Sequence, residues 1–259
     1  MSAAAGRGLS RTILRLHRTA LIVWGAFVAG MVAWLVWLND VTAVSVHAAQ
    51  AACRAVETCD PFTFLDYSRP TSWISTFICY SFLAVAAWAG AALIGRELEL
   101  GTAQLAWTQA VTPTRWLAAK LALPALALTL GGTALVLAFR WGWAAHRDLM
   151  GDDWTFPDVF VARGPATVAY ALCALAVGTL TGLVLRRALP ALGVSLAVMW
   201  TLNFLLERRR EAQWPTATRT HPPQSDFWPL HLEETGIVLA VAALTVALAF
   251  RLLRRRTAA

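Results

Sequence analysis

Charge is scarce in this sequence. Only 14% of the 259 residues are charged, whereas 58% are hydrophobic. Soluble domains carry about 25% charged residues, so this composition excludes an ordinary soluble protein. A mean hydropathy of +0.56 points the same way. We therefore predict a protein embedded in a lipid bilayer.

Lysine is almost missing, since Lys120 is the only one and the net charge of +7 rests on arginine. A P-loop requires a lysine directly after a glycine, and Lys120 follows an alanine. The chain therefore cannot hold ATP phosphates in the P-loop manner, and we predict no directly bound cofactor. A high positive charge can indicate nucleic-acid binding. Here the arginines flank apolar segments, so we predict the bilayer and not nucleic acid as the partner.

Catalytic and metal-binding motifs are also missing. The sequence contains neither His-Glu-x-x-His nor Gly-x-Ser-x-Gly, because residues 193–197 lack the second glycine. We predict that Asp152, Asp153 and Asp158 lie in a solvated loop and do not hold a cation. The chain is therefore predicted to be neither an enzyme nor a metal protein. Its histidines show no ligand spacing: His17, His47, His146, His221 and His231.

Cysteine is rare, with four in the chain. Cys53 and Cys59 fall in a polar segment that we predict to be extracellular, where oxidation is possible. The sequence leaves open whether they form a disulfide or remain two thiols. Cys79 and Cys173 lie in apolar segments and are predicted to be small packing residues.

Apolar segments of about 20 residues, the length that crosses a bilayer core, occur six times. We predict a single domain over residues 1–259, an all-α membrane protein of six transmembrane helices. Residues 1–18 form either an amphipathic lead-in helix or a plain basic flank. Pro124 and Gly131-Gly132 are expected to break the third span. The spans are predicted at about 19–39, 71–95, 121–139, 164–185, 188–206 and 235–253.

The arginines are unevenly distributed between the two sides of the predicted bundle. The N-terminal flank, residues 96–120, the Arg186-Arg187 turn and the C-terminal end hold most basic residues and only two acids. The positive-inside rule then makes both termini cytoplasmic. Arg208-Arg209-Arg210 is an exception, because it falls on the opposite side.

Residues 96–120, which we call the elbow, join the second and third spans. Gly101 can end a helix because it tolerates positive φ, and Thr102 can cap a new short helix. Pro113 is expected to end that helix. Glu97 and Glu99 lie two residues apart and cannot share a helical face. We therefore expect one to pair with a nearby basic group and the other to face outward.

The third span is predicted to open with Arg115, Trp116 and Lys120 as interfacial anchors. Small residues recur at four-residue spacing in the fourth span, at Gly178 and Gly182, where helices can approach closely. Packing within the chain is the favoured interpretation of this pattern over a dimer contact.

The elbow reads Glu-x-Glu-x-Gly-Thr over residues 97–102 and Leu-Ala-Trp-Thr-Gln-Ala-Val-Thr-Pro over residues 105–113. This pattern resembles the signature of type-2 ABC exporter permeases and looks most like their actinobacterial branch. The resemblance implies a cytosolic coupling helix that docks on a separate ABC ATPase subunit. The residues implied in coupling are Glu97, Glu99, Gly101, Thr102, Leu105, Trp107, Gln109, Pro113 and Arg115, with Trp107 alternatively in the membrane interface.

A polar stripe at helical spacing marks the fifth span, at Ser195, Met199 and Asn203, and Thr76 with Tyr80 forms a shorter one on the second. The resemblance implies that these two spans line the substrate path. The alternative is that both stripes are internal hydrogen-bond partners. No ionisable residue is predicted deep in a span. Ion-coupled carriers need such residues there, so a carrier of this kind is disfavoured.

The resemblance implies a permease subunit in the bacterial cell membrane that exports a small molecule, a lipid or a peptide, antibiotics included. ATP and Mg would be bound by the partner ATPase, and the permease would form a homodimer or a heterodimer. Two alternatives remain from the sequence. One is a subunit of an antibiotic immunity or sensing complex, and the other is a membrane anchor outside the ABC class.

Overall fold

The computed structural model describes residues 3–53, 62–108, 112–213 and 223–258, and it describes side chains from residue 18 onward except those of Ala106 and Ala258. Within these ranges the chain is helical and has no strand. Six of its helical stretches are long and apolar enough to cross a membrane. The predicted all-α fold with six spans is confirmed.

The α-helices are α1 (Ala3–Trp37), α2 (Ala43–Cys53), α3 (Leu65–Trp88), α4 (Arg96–Glu99), α5 (Thr102–Thr108), α6 (Pro113–Ala145), α7 (Pro157–Ala162), α8 (Ala166–Leu185), α9 (Ala188–Gln213) and α10 (Phe227–Ala258). Two π-helical segments, Leu38–Thr42 and Ala89–Gly95, continue α1 into α2 and α3 into α4. Two 3₁₀ turns, Arg147–Leu149 and Gln224–Asp226, precede α7 and α10.

The membrane-crossing helices are mostly longer than a bilayer core requires. The first runs over Arg18–Cys53 and the second over Leu65–Glu99, at 36 and 35 residues, against the about 20 that span a bilayer. Much of the polar segment that we predicted as a loop between them is therefore helical. Hydropathy indicates where a segment leaves the lipid. It does not indicate where the helix ends, because a helix with polar residues can continue into water.

The third span is not broken, which corrects the prediction. α6 is continuous through Pro124 and through both glycines. A Cβ on Gly132 would lie 2.9 Å from a methyl carbon of Val168 in α8, and Gly131 faces Trp24 in α1. These glycines therefore allow α1 and α8 to approach α6 closely. Neighbouring helices commonly compensate for proline within a membrane helix.

α8 is the central helix, because a larger share of it is buried than of any other span. It packs against α3, α6, α9 and α10. Gly178 lies directly against Ala89 and Gly90 of the second π-helical segment, and Gly182 lies against Ile94. The small-residue spacing thus serves packing within the chain.

We expect Gly178→Ala to destabilise the protein by about 1–3 kcal/mol, because overpacking a close helix contact forces backbones apart. The added Cβ would lie 2.7 Å from the Cβ of Ala89 and 2.7 Å from the amide nitrogen of Gly90. Thermal unfolding in detergent measures the effect. Gly193→Ala is the matched control, since no atom lies within 4 Å of its added Cβ. An equal loss in both variants would contradict this packing role.

The connection between α6 and α8 is tied to α3 by carboxylates. The Ser72 hydroxyl donates to Asp152, and the Ser75 and Thr76 hydroxyls donate to Asp158 at 2.5 and 3.1 Å. The solvated-loop prediction is therefore wrong for these two acids. Within the described residues no group of three or more candidate metal ligands occurs.

Candidate functional site

The elbow contains a sharp helix-to-helix turn at Gly101. Gly101 has φ of 73° and is the only glycine with positive φ in the described part of the chain. The amide of Leu100 donates to the Arg96 carbonyl at 3.0 Å, and the Gly101 carbonyl accepts from the Gln104 amide at 3.1 Å. Gly101 thus ends α4 and precedes α5, as its tolerance of positive φ predicts.

Thr102 does not cap α5 with its side chain, which corrects the prediction. It is the first residue of α5, and its hydroxyl donates to the carbonyl of Glu97 at 3.2 Å. Helix ends leave carbonyls as well as amides without intrahelical partners, and this hydroxyl binds one near the end of α4. Thr102 therefore connects the two short helices.

Pro113 begins a helix and does not end one. α5 ends at Thr108, and Pro113 is the first residue of α6, after an extended Thr112 with ψ of 143°. Proline is tolerated there because the first amide of a helix has no intrahelical acceptor. Gln109, a predicted coupling residue, lies outside the described residues.

Glu97 forms an ion pair with Lys120 of α6. The Lys120 side chain is only 3% exposed and that of Glu97 is 17% exposed. Lys120 Nζ also donates to the Leu93 carbonyl in the second π-helical segment at 3.2 Å, and it lies 5.5 Å from the Trp116 ring centroid. Lys120 is therefore a buried connection between the elbow and α6, and the prediction of an interfacial anchor is wrong.

Glu99 points in a different direction from Glu97 and binds the start of α9. Its Oε2 accepts from the Ala188 amide at 2.9 Å. Ala188 is the first residue of α9, so this carboxylate binds an amide without an intrahelical acceptor and complements the helix dipole. Glu99 is exposed as well as bound within its own chain, so its predicted orientation toward a partner stays a prediction.

α5 has an inward and an outward side. Ala103 is buried and the half-buried Trp107 ring packs edge-on against Trp116, with centroids 5.7 Å apart. Leu105 is 61% exposed, and Leu100 is exposed beside it. Leu105 is therefore an exposed apolar side chain of α5, whereas the Trp107 ring packs within this chain.

The sequence analysis did not identify Leu100 as an exposed residue of the elbow. The signal that could have found it is an apolar residue next to the helix-ending Gly101, within a polar segment. Arg115, in the first turn of α6, is exposed. The elbow thus exposes Leu100, Leu105 and Arg115.

The polar stripe of α9 faces the interior of the chain. Ser195 and Met199 are fully buried and Asn203 is nearly so. The Ser195 hydroxyl lies 2.5 Å from the Thr181 hydroxyl of α8 and donates to the Ala191 carbonyl. Because all three side chains are buried within the chain, they do not line a route between two membrane domains, and Ser195 instead forms a hydrogen bond at the α8–α9 contact.

The shorter stripe on α3 is half-buried and is also engaged. Thr76 binds Asp158, as described above, and the Tyr80 ring stacks on Trp200 of α9 with centroids 5.9 Å apart. The exposed surface beside this pair is aromatic: Trp73, Phe77, Trp200 and Phe204.

A buried ionic cluster lies at the end of the bundle opposite the elbow. Arg210 Nη1 of α9 donates to Glu234 Oε2 of α10 at 2.9 Å, and Tyr170 Oη of α8 donates to Glu234 Oε1 at 2.9 Å. The Arg210 guanidinium carbon lies 4.0 Å from the Phe160 ring centroid. The predicted fifth span ended at residue 206 and the sixth began at 235, so the sequence analysis missed these buried charges.

Cys79 and Cys173 are buried free thiols, in line with their predicted packing role. Cys53 is disulfide-bonded. Its predicted partner, Cys59, lies outside the described residues, so the pairing remains a prediction.

Six apolar helices, with a short helix held between the second and third, define a multi-pass membrane protein. The family model described as ABC-2 membrane transporter related matches residues 25–210, so the chain belongs to that family. It is therefore a permease subunit of the ABC transporter class in the cell membrane, a class that works with an ABC ATPase subunit. Searches of curated proteins and of solved structures found no match to this chain.

Proposed function

We propose that this chain is the membrane half of an ATP-driven exporter whose elbow receives force from a separate ATPase. The observation that carries this proposal is the exposed Leu105 on the short helix α5. Two carboxylates that precede this helix, Glu97 and Glu99, bind different spans. An amphipathic helix that offers an apolar side chain can dock in a groove of a partner. Both termini and the elbow would face the cytoplasm.

Force would pass from α5 into the bundle by two routes. Glu97 connects the elbow to α6 through Lys120, and Glu99 connects it to α9 through the Ala188 amide. The Thr102 hydroxyl donates to the Glu97 carbonyl, and this bond joins α5 to α4, the helix that carries both carboxylates. Since α4 continues α3 through a π-helical segment, a shift of α5 would reach three spans at once.

ATP and Mg would be held by the ATPase, and this chain would supply the element that changes conformation. Nucleotide binding can favour one arrangement of the spans only if the ATPase binds the elbow differently in the two arrangements. Two permease copies, identical or related, would enclose the path. The exposed aromatic surface of α3 and α9 would face the second copy.

The cargo would be a small molecule, a lipid or a peptide. Accumulation of that cargo in inverted vesicles on addition of ATP would distinguish export from removal out of the bilayer alone. The chain itself would perform no bond chemistry.

We expect Leu105→Gln to weaken ATPase binding by about 10- to 100-fold, which corresponds to the about 1.5–3 kcal/mol of burying one leucine. Co-purification with the partner ATPase, from mild detergent, measures the effect. The permease should keep its thermal stability within about 0.5 kcal/mol, because Leu105 is exposed.

Leu105→Met is the matched control, because it preserves volume and apolar character. It should retain the ATPase. If Leu105→Gln and Leu105→Met both bind the ATPase like the unmodified chain, α5 is not the docking helix.

A further inference from the structure

Three arginines lie on neighbouring segments at the end of the bundle opposite the elbow. Arg140 belongs to the last turns of α6, Arg147 to the following 3₁₀ turn, and Arg163 to the connection from α7 to α8. The ion pairs of the described residues use other cations, namely His47, Lys120, Arg209 and Arg210. Within those residues the three arginines thus have no carboxylate in ion-pair contact.

Arg163 is held in a fixed position by two aromatic rings. Its guanidinium carbon lies 4.8 Å from the Trp143 centroid and 4.4 Å from the Phe227 centroid, and its Nη1 donates to Gln224 Oε1 at 3.2 Å. Burial, together with the positive charges of Arg147 and Arg140, lowers the pKa of Arg163 to about 10, and Asp153 only partly opposes this. Arg140 stacks on Trp228 and Arg163 on the adjacent Phe227, and Arg147 and Arg140 both repel the positive charge of Arg163.

The surroundings of Arg140 indicate how deep in the bilayer the three arginines lie. Its guanidinium carbon lies 5.0 Å from the centroid of Trp228, the second residue of α10. Trp228 and the neighbouring Trp141 are both exposed. Exposed tryptophans at the ends of membrane helices lie at the level of lipid headgroups.

We propose that Arg140, Arg147 and Arg163 bind the phosphate of an anionic lipid headgroup at this end of the bundle. A guanidinium presents a planar pair of donors that matches phosphate oxygens. The bound anion would relieve the repulsion among the three cations, and the rings of Trp143 and Trp228 restrict two guanidiniums before binding. Hydrogen bonds between a guanidinium and a phosphate are charge-assisted and therefore stronger than those between neutral groups.

Two other arginines at this end of the bundle, Arg209 and Arg210, support this assignment by contrast. Arg209 is paired with Glu233 and Arg210 with Glu234, so their charges are already compensated within the chain. An anion therefore gains most from the three arginines without an acidic partner.

The test measures lipid retention by native mass spectrometry on the full-length chain in mild detergent. Phosphatidylglycerol and phosphatidylcholine are supplied in turn, and phosphatidylglycerol should be retained preferentially. In the variant Arg140→Gln with Arg147→Gln, retention should fall by about tenfold for each arginine lost. Both side chains are exposed, so this variant should fold. Arg209→Gln removes one positive charge at the same end and should retain phosphatidylglycerol like the unmodified chain.

Arg163→Gln provides a second variant, whose melting temperature is measured alongside retention. Millimolar inorganic phosphate should leave the bound lipid in place. Displacement by inorganic phosphate would assign the site to a soluble anion and overturn the lipid proposal. Equal retention of both lipids, or an equal loss in Arg209→Gln, would overturn it as well.

Discussion

Lys120→Met should lower the free energy of unfolding by about 3–5 kcal/mol, because it breaks a buried ion pair and leaves one charge without a partner. The unpaired group would be Glu97, whose side chain is only 17% exposed. The Leu93 carbonyl would also lose its donor. Denaturant unfolding in detergent micelles measures the loss.

The double variant Glu97→Gln with Lys120→Met tests the cause. Because it removes both charges, it should recover most of the lost stability. A double variant as unstable as Lys120→Met alone would show that packing of the lysine stem, and not the charge pair, is responsible. If the proposed force route through α6 holds, both variants should also lower ATP-driven transport, since neither retains the connection from elbow to helix.

Arg210→Met should produce a loss of similar size, about 3–5 kcal/mol, for the same physical reason. Arg210 is 4% exposed and its partner Glu234 is 7% exposed. Without the guanidinium, the Glu234 carboxylate would keep only the hydroxyl of Tyr170 as a hydrogen-bond donor among the described contacts. Thermal unfolding in detergent, followed by circular dichroism, measures the loss.

Arg209→Met is the matched control for this prediction. Arg209 is adjacent in sequence and pairs with Glu233, but the two side chains are 50% and 43% exposed. Exposed ion pairs contribute about 0–1 kcal/mol, so this variant should remain close to the unmodified chain. Equal losses at positions 209 and 210 would mean that burial does not set the strength of these pairs.

Most of the architecture was predictable because lipid imposes a simple rule on sequence. A bilayer core has no water to bind backbone groups, so a spanning segment must be an apolar helix of sufficient length. Six such segments could therefore be counted directly. The elbow between the second and third was located by the same contrast, and Gly101 was interpreted correctly because few other residues adopt positive φ.

Helix ends and breaks were predicted less well. The π-helical segments at Leu38–Thr42 and Ala89–Gly95 have no sequence signature of their own. Pro124 does not break α6, because adjacent helices stabilise a continuous helix around it. Arg210 and Glu234 fell outside the predicted spans, although α9 and α10 extend beyond the apolar segments and bury them.

The sequence by itself determined that the chain is a six-helix membrane protein with one elbow, because hydropathy and glycine geometry are local properties. Only the tertiary structure decided which groups meet across the bundle: Glu97 with Lys120, Glu99 with the start of α9, and the Ser195 stripe with α8. Helical periodicity defines a face, but the neighbour that covers that face depends on how the helices pack. The partners of a charged or polar side chain are therefore known only once the bundle is assembled.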